Sequence, residues 1–285
     1  MKNVIKLKCP AKINLTLDVV NRRPDGFHEI NSVMQLINLY DYITIKIEHA
    51  HCNQIILSGN STKIPYDKNN LVYKAVELYC KETGLKDLKI DIYIEKNIPI
   101  AAGLAGGSTD AAGTLWGLNY IFQRLDLYKL NELSAKLGSD LNVCLHGGCC
   151  LATSRGEVLE GLPTLDYELT LIKPKNLGIS AKEAYSKFDT KKLISSKNYT
   201  DIIIQRIWSN SDIIQYMHND LEDAVFDDYK ELQDIKAVIP EAIMSGSGPT
   251  YFVLKNIKDS PFNADFEFIN NLCFINTGIE LVDLQ

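Results

Sequence analysis

One order of elements, a strand, a glycine-rich turn and a helix, constrains this chain more than any other stretch. LKIDIYIEKNI (Leu88–Ile98) alternates apolar and polar residues, as a half-buried strand does. PIAAGLAGGSTDAAG (Pro99–Gly113) follows, with Gly103, Gly106 and Gly107 close together and Ser108, Thr109 and Asp110 directly after them. AAGTLWGLNYIF (Ala111–Phe122) then reads as an apolar helix. Glycines let the backbone approach a ligand closely and adopt positive φ. A helix start offers unpaired N–H groups and the positive end of its dipole, so an anion such as phosphate fits there. The same turn can serve only to pack a helix close to its strand, with Ser108 and Thr109 as caps. No GK[ST] occurs, so the turn is not a Walker A loop. The run from Gly103 to Gly107 does not fit G-x-G-x-x-G either.

The rest of the chain narrows the partners. With 285 residues and 46% hydrophobic content, it can bury one large core or two ordinary ones. A net charge of −6 implies no basic face, so nucleic acid is not an expected partner. An anionic ligand must then be held by backbone N–H groups and a few lysines. Seven cysteines are irregularly spaced with no C-x-x-C pair, which argues against zinc and for reduced thiols in a cytoplasmic protein. The N-terminal MKNVIKLKCPAKINL has no long apolar core of the signal-peptide kind, and no run approaches a membrane span.

Alternation predicts strands at Ile5–Cys9, Ile13–Val20, Tyr42–Glu48 and Gln54–Ser58, with a turn at Asn21–Gly26. Asn69–Gly84 has helical spacing, with asparagine at its start and glycine at its end. A second helix is expected at Tyr128–Leu137, and Leu141–Ser154 reads as strand broken at Gly147-Gly148. Beyond the soft boundary at Gly161–Asp166, Tyr167–Lys173 is a strand, and Ser180–Phe188 and Tyr199–Trp208 are helical. Leu221–Ile239 reads as two short helices, Ser245–Lys255 as a glycine turn into a strand, Phe262–Leu272 as a helix and ELVDL (Glu280–Leu284) as a last strand. The pattern predicts an α+β protein with domains at residues 1–161 and 162–285.

Three separated motifs then line up: PAKINLTLDVVNRRPDGFHEI (Pro10–Ile30), the glycine loop, and MSGSGPTYF (Met244–Phe252). In this order they resemble the GHMP kinases, named for galactose, homoserine, mevalonate and phosphomevalonate. The first motif is similar to that of the members acting on 4-diphosphocytidyl-2-C-methyl-D-erythritol, of the non-mevalonate isoprenoid pathway. KNNLVYKA, GSDLNV and NDLE fit the same members, so the resemblance spans nearly the whole chain. It implies a first domain like the second domain of ribosomal protein S5 and a ferredoxin-like second domain. It implies transfer of the γ-phosphoryl of ATP to the substrate 2-hydroxyl, with Mg²⁺, by a monomer or homodimer and without a membrane. Homoserine or mevalonate kinase activity, or a catalytically silent nucleotide binder, are the alternatives.

The resemblance also carries over residues. Pro99, Ile100, Ala101, Ala102, Gly103, Leu104, Ala105, Gly106, Gly107, Ser108 and Thr109 match the ATP-binding loop. Asp140 matches the catalytic base and Lys12 the catalytic lysine. On a strand, Lys12 would share a face with Asn14 and Thr16, and we expect it to pair with Asp140. His28 matches the histidine that reads cytosine, Phe27 and Tyr185 the aromatics that sandwich it, and Asn14 a contact to the diphosphate or erythritol part. Ser108 could reach Mg²⁺, but no carboxylate is placed for the metal, and Asp110 reads as a first-turn acid that stabilises its helix. Leu71 is the one suggestion for the adenine pocket. Gly246, Ser247 and Gly248 would turn the backbone beside the phosphates. Three positions depart from the family pattern: Ala105 for a usual glycine, Asn142 for a usual proline, and Ala181 for a usual threonine.

Overall fold

The computed structural model describes residues 4–193 and 198–282. In chain order the elements are β1 (Val4–Asn14), β2 (Thr16–Arg22), β3 (His28–His49), β4 (Gln54–Gly59), α1 (Leu71–Thr83), β5 (Leu88–Glu95), α2 (Gly106–Phe122), α3 (Leu127–Leu137), α4 (Leu141–His146), β6 (Cys149–Thr153), β7 (Val158–Leu162) and β8 (Glu168–Pro174). There follow α5 (Ala181–Lys191), α6 (Tyr199–Trp208), β9 (His218–Asn219), α7 (Asp220–Val225), α8 (Lys230–Val238), β10 (Ile243–Met244), β11 (Tyr251–Val253), β12 (Phe266–Cys273) and β13 (Glu280–Val282). Nine strands form one sheet around β3, and β10-β11-β8-β12 form a second, antiparallel one.

Three apolar clusters stack the layers. One lies between α1–α4 and the large sheet, through Leu7, Ile45, Tyr79, Ile92 and Leu115. Another joins the two sheets and α6, through Ile13, Val33, Leu171, Ile203 and Phe252. The last packs α5, α7 and α8 on the small sheet, through Ile172, Phe188, Leu221 and Ile235. The late strands β9 and β13 return to the large sheet, beside β2 and β1 respectively.

An irregularity in the pairing of β1 with β3 matters for everything that follows. Ile5, Leu7 and Cys9 pack under the helices, whereas Ala11, Ile13 and Leu15 pack toward the small sheet. Strict alternation would put all six on one face. The pairing of β1 with β3 shifts between Pro10 and Ala11, where β3 skips Asn38 and Leu39, and the alternation of buried residues breaks at the same point. Lys12 and Asn14 are thereby turned to the helix side, under α4.

Most predicted elements are present. Asn70 caps α1 through a hydrogen bond from Val72 N, and Gly84 ends it in the left-handed region. The final strand runs through Val282; its predicted Asp283 and Leu284 lie outside the described residues. Three readings are corrected. Leu141–His146 is a helix, because a short apolar run does not distinguish a buried strand from a buried helix. Phe266–Cys273, read as helical, is a strand of the small sheet. A bulge between Ile269 and Leu272, with Asn271 at φ +57°, breaks its alternation and imitates helical spacing. The strand predicted at Tyr42–Glu48 is the second half of the 22-residue β3, and β7 went unread. No described helix is long and apolar enough to cross a membrane. All seven cysteines are free, and five of them are buried.

Candidate active site

The glycine loop bends differently from the expectation that its glycines carry the unusual backbone. Positive φ falls at Ala101 (+51°), Gly103 (+73°) and Ala105 (+61°), whereas Gly106 and Gly107 begin α2. A side chain at Gly103 would run into the Ser245 carbonyl. Ala105 is the residue before the helix and makes no side-chain cap bond. Ser108 and Thr109 therefore lie inside the first turn rather than capping it, and the leading N–H groups stay unpartnered by side chains. An L-residue in the left-handed region costs about 1–2 kcal/mol. Ala105→Gly removes that strain but frees the unfolded chain by about 0.4–1 kcal/mol. We expect a net rise of roughly 2 °C in Tm by calorimetry; a fall would mean that the Ala105 methyl is worth more than its strain.

Two cavities meet at this loop. The larger, about 850 Å³, is lined by Lys12, Asn14, Phe27, His28, Asp140, Tyr185, Gly246 and Ser247 among others. The smaller, about 370 Å³, is lined by Pro65, Asn69, Asn70, Leu71, Lys96 and the run from Pro99 to Ser108. Gly103, Ala105 and Ser108 line both. A separate hollow of about 770 Å³ beside α1 and β4 holds none of the predicted residues.

Lys12 sits at the centre. Its side chain is 4% exposed; the ammonium donates to Asn14 Oδ1 at 2.7 Å and lies 3.7 Å from Asp140 Oδ2. Asn14 is oriented in turn, its Nδ2 donating to Ser32 Oγ at 2.8 Å. Without such partners a buried ammonium is costly. The backbone N–H of Lys12 donates to Leu104 O at 3.1 Å, which joins this strand to the glycine loop. Asp140 precedes α4 and makes no cap bond with its side chain. Its carboxylate, one-third exposed, faces the cavity with one oxygen toward Lys12. Burial pushes the nearby Cys144 thiol up to about 12, so it is no nucleophile.

The loop Ser245–Gly248 closes over the same point. Ser245 Oγ donates to Gly103 O at 3.0 Å. Gly246 has φ +55°, and a Cβ there would stand 3.2 Å from the Lys12 ammonium. The NDLE run holds this loop, a role its sequence did not disclose. Asn219 Nδ2 donates to Met244 O at 2.6 Å and Gly246 O at 2.8 Å, and Glu222 Oε2 accepts from Met244 N at 2.9 Å. Asp220 accepts from Val19 N at 2.6 Å.

At the far end of the larger cavity, the His28 ring stacks on Tyr185 with centroids 4.7 Å apart and planes 15° apart. Phe27 is 54% exposed, and the Arg155 guanidinium lies 5.1 Å from its ring centre. Arg155 and Asp189 line this end and were not singled out in the sequence.

Asp110 is not the first-turn acid expected: α2 starts at Gly106, which leaves Asp110 beyond its first turn. It is buried and receives a hydrogen bond from Lys96 Nζ at 2.7 Å, while the same ammonium bonds Asp41. Asp41 also accepts the N–H groups of Asn97 and Ile98, at 2.6 and 2.8 Å. The cluster ties the end of β5 and the middle of β3 to the first half of α2. Burial pushes the Asp110 carboxyl up to about 8; Lys96 opposes this and Asp41 adds to it. A sequence reading has no access to this, because Asp41 and Lys96 are far apart along the chain.

Comparison with known proteins decides the family. The family described as GHMP kinases N terminal domain matches residues 70–148. A relative from Clostridium tetani, 4-diphosphocytidyl-2-C-methyl-D-erythritol kinase, is 40% identical over 267 residues, covering 91% of this chain and 94% of its own. The chain belongs to the 4-diphosphocytidyl-2-C-methyl-D-erythritol kinase family. A solved structure titled 4-(cytidine 5'-diphospho)-2C-methyl-D-erythritol kinase is 28% identical with TM-score 0.72, covering 88% of this chain and 90% of that one. Homoserine kinase from Cytophaga hutchinsonii, 17% identical with TM-score 0.70 over 99% of this chain and 98% of its own, shares the fold. The expected α+β GHMP kinase fold is therefore the observed one.

Against that family, two departures have local explanations. Asn142 stands in the first turn of α4, where it accepts from the Ser134 hydroxyl and donates to Glu157 O at 2.9 Å. Those bonds fix the backbone after Asp140 that a proline would otherwise stiffen. Ala181 begins α5 and lines the larger cavity with a methyl group, so no polar contact comes from it.

Proposed function

We propose that this kinase transfers the γ-phosphoryl of ATP to the 2-hydroxyl of 4-diphosphocytidyl-2-C-methyl-D-erythritol. The observation that carries the reading is the Lys12–Asp140 pair, held where the glycine loop joins two cavities, in a chain 40% identical to a relative of that name. ATP lies along Pro99–Thr109, its phosphates on the free N–H groups of the α2 start and its adenine in the smaller cavity beside Leu71. The acceptor fills the larger cavity. Phosphoryl transfer of this kind depends chiefly on positioning and charge stabilisation.

Asp140 accepts the proton of the 2-hydroxyl as its oxygen attacks phosphorus. Lys12 orients the Asp140 carboxylate and offsets charge on the transferring group, and Asn14 holds the lysine and contacts the acceptor. Mg²⁺ would be held by Ser108 and Asp140, oxygen donors of the type it takes alongside phosphate and water. When bound, the metal neutralises phosphate charge. Phe27 and Tyr185 provide stacking surfaces for cytosine, with His28 at the base edge. Two domains, residues 1–161 and 162–285, are part of this reading; the small sheet, built wholly from residues beyond 161, supports it. All these groups come from one chain, so a monomer suffices, as would each half of a homodimer. The free buried thiols suit the cytoplasm, and nothing in the acidic composition suits nucleic acid.

Two measurements test this. ADP release should require the cytidylyl substrate and not proceed with homoserine; the reverse preference overturns the reading. Phe27→Ala should raise KM for the cytidylyl substrate by about 5- to 100-fold, the worth of one base stack, with Tm unchanged. An unaltered KM would remove Phe27 from the base site.

A further inference from the structure

We infer that Asp189 sets the preference for cytosine over uracil by fixing which nitrogen of His28 carries a proton. The inference rests on the reading of His28 as the residue at the base edge. His28 Nε2 lies 2.8 Å from Asp189 Oδ1. The other oxygen, Oδ2, lies 3.4 Å from Arg22 Nη1. An ionised carboxylate only accepts hydrogen bonds, so the proton in this contact belongs to Nε2. In the neutral ring Nδ1 is then a lone-pair acceptor.

The ring has little freedom to turn that acceptor elsewhere. Tyr185, Phe188 and Asp189 occupy positions i, i+3 and i+4 of α5 and so share one face of that helix. Tyr185 stacks on the imidazole, Phe188 meets it edge-on at 6.4 Å and 83°, and Asp189 takes Nε2. The side chain is 8% exposed and lines the larger cavity, and among the described residues Nδ1 has no hydrogen-bond partner. A lone pair held there attracts the 4-amino group of cytosine. Uracil carries a carbonyl oxygen at that position, and two acceptors facing each other repel. Discrimination of this sort is strong when a buried polar group would be left unpaired by the wrong ligand. Asp189 does not touch the reacting atoms; it is a positioning residue for specificity.

The test compares 4-diphosphocytidyl-2-C-methyl-D-erythritol with its uridylyl analogue in the wild-type, Asp189→Ala, Asp189→Asn and His28→Ala chains. Asp189→Ala should raise KM for the cytidylyl substrate and cut the cytidylyl-over-uridylyl preference in kcat/KM about tenfold or more, with kcat and the KM for ATP within twofold. Asp189→Asn, whose amide oxygen can still accept from Nε2–H, should restore part of the preference. ¹⁵N NMR of labelled histidine should show His28 as the Nε2–H tautomer in the wild type and as a mixture in Asp189→Ala. If Asp189→Ala keeps the preference while His28→Ala loses it, the role of Asp189 is overturned and His28 remains the reader. If His28→Ala also keeps the preference, the underlying reading of His28 fails.

Discussion

Asp140→Asn lowers kcat by about 10²–10⁴-fold, the usual worth of a positioned general base, and leaves the fold intact. The amide keeps the size and shape of the carboxylate but does not accept the substrate proton. Stability should fall modestly, because the buried Lys12 ammonium loses its ion pair but keeps Asn14 Oδ1, and Asp140 makes no cap bond to α4. The glycine loop reaches the nucleotide through backbone that Asp140 does not touch, so any rise in the KM for ATP reports the loss of Asp140 from the Mg²⁺ site. Steady-state ADP release gives kcat, and thermal melting gives the stability. A variant retaining kcat within about threefold would show that Asp140 only orients the ammonium of Lys12.

Lys96→Met destabilises the chain by about 3–5 kcal/mol, the cost of stranding a buried charge by removing its partner. The lysine is 6% exposed, Asp110 5% and Asp41 fully buried, so solvent offers no relief. The effect is pH-dependent, and its sign follows from the raised Asp110 carboxyl. Asp110 binds its proton up to about pH 8 in the folded chain but only to about pH 4 when unfolded. Its contribution to stability is full below pH 4 and is lost as pH rises toward 8. Lys96 itself is raised by its partners, so its own contribution persists to high pH and is lost only above its ordinary value. Lys96→Met should therefore be less harmful below pH 8, where Asp110 holds its proton, and most harmful above it. Urea unfolding at pH 6 and pH 9 reads this directly. Equal losses at both pH values would mean that the cluster does not hold a shared proton.

The parts of this site legible in the sequence were those that local chemistry dictates. Lys12 and Asn14 share a strand face by the period of two, and their ammonium–amide contact follows from it. The start of α1 at Asn70 and its end at Gly84 are read from capping chemistry alone. What escaped depends on distant partners or on broken periodicity. Asp110 looks like a helix-start acid until Asp41 and Lys96 arrive from β3 and the end of β5. Asp189 looks like a surface residue of α5 until His28 meets it across the cavity. The break in the β1–β3 pairing beside Lys12 has no local marker beyond Pro10, and the Asn271 bulge made a strand look helical. In the glycine loop, two of the three left-handed positions are alanines, which no glycine count would reveal.

The central claim is that Lys12 and Asp140 direct the γ-phosphoryl of ATP onto one hydroxyl of the cytidylyl substrate. ³¹P NMR of the reaction with ATP, Mg²⁺ and 4-diphosphocytidyl-2-C-methyl-D-erythritol tests it most directly. The account predicts a new phosphomonoester on the 2-hydroxyl, equal in amount to the ADP formed, with the cytidylyl diphosphate intact and no such signal from Asp140→Asn. ADP accompanied only by inorganic phosphate, or a phosphomonoester formed equally well by Asp140→Asn, would contradict it.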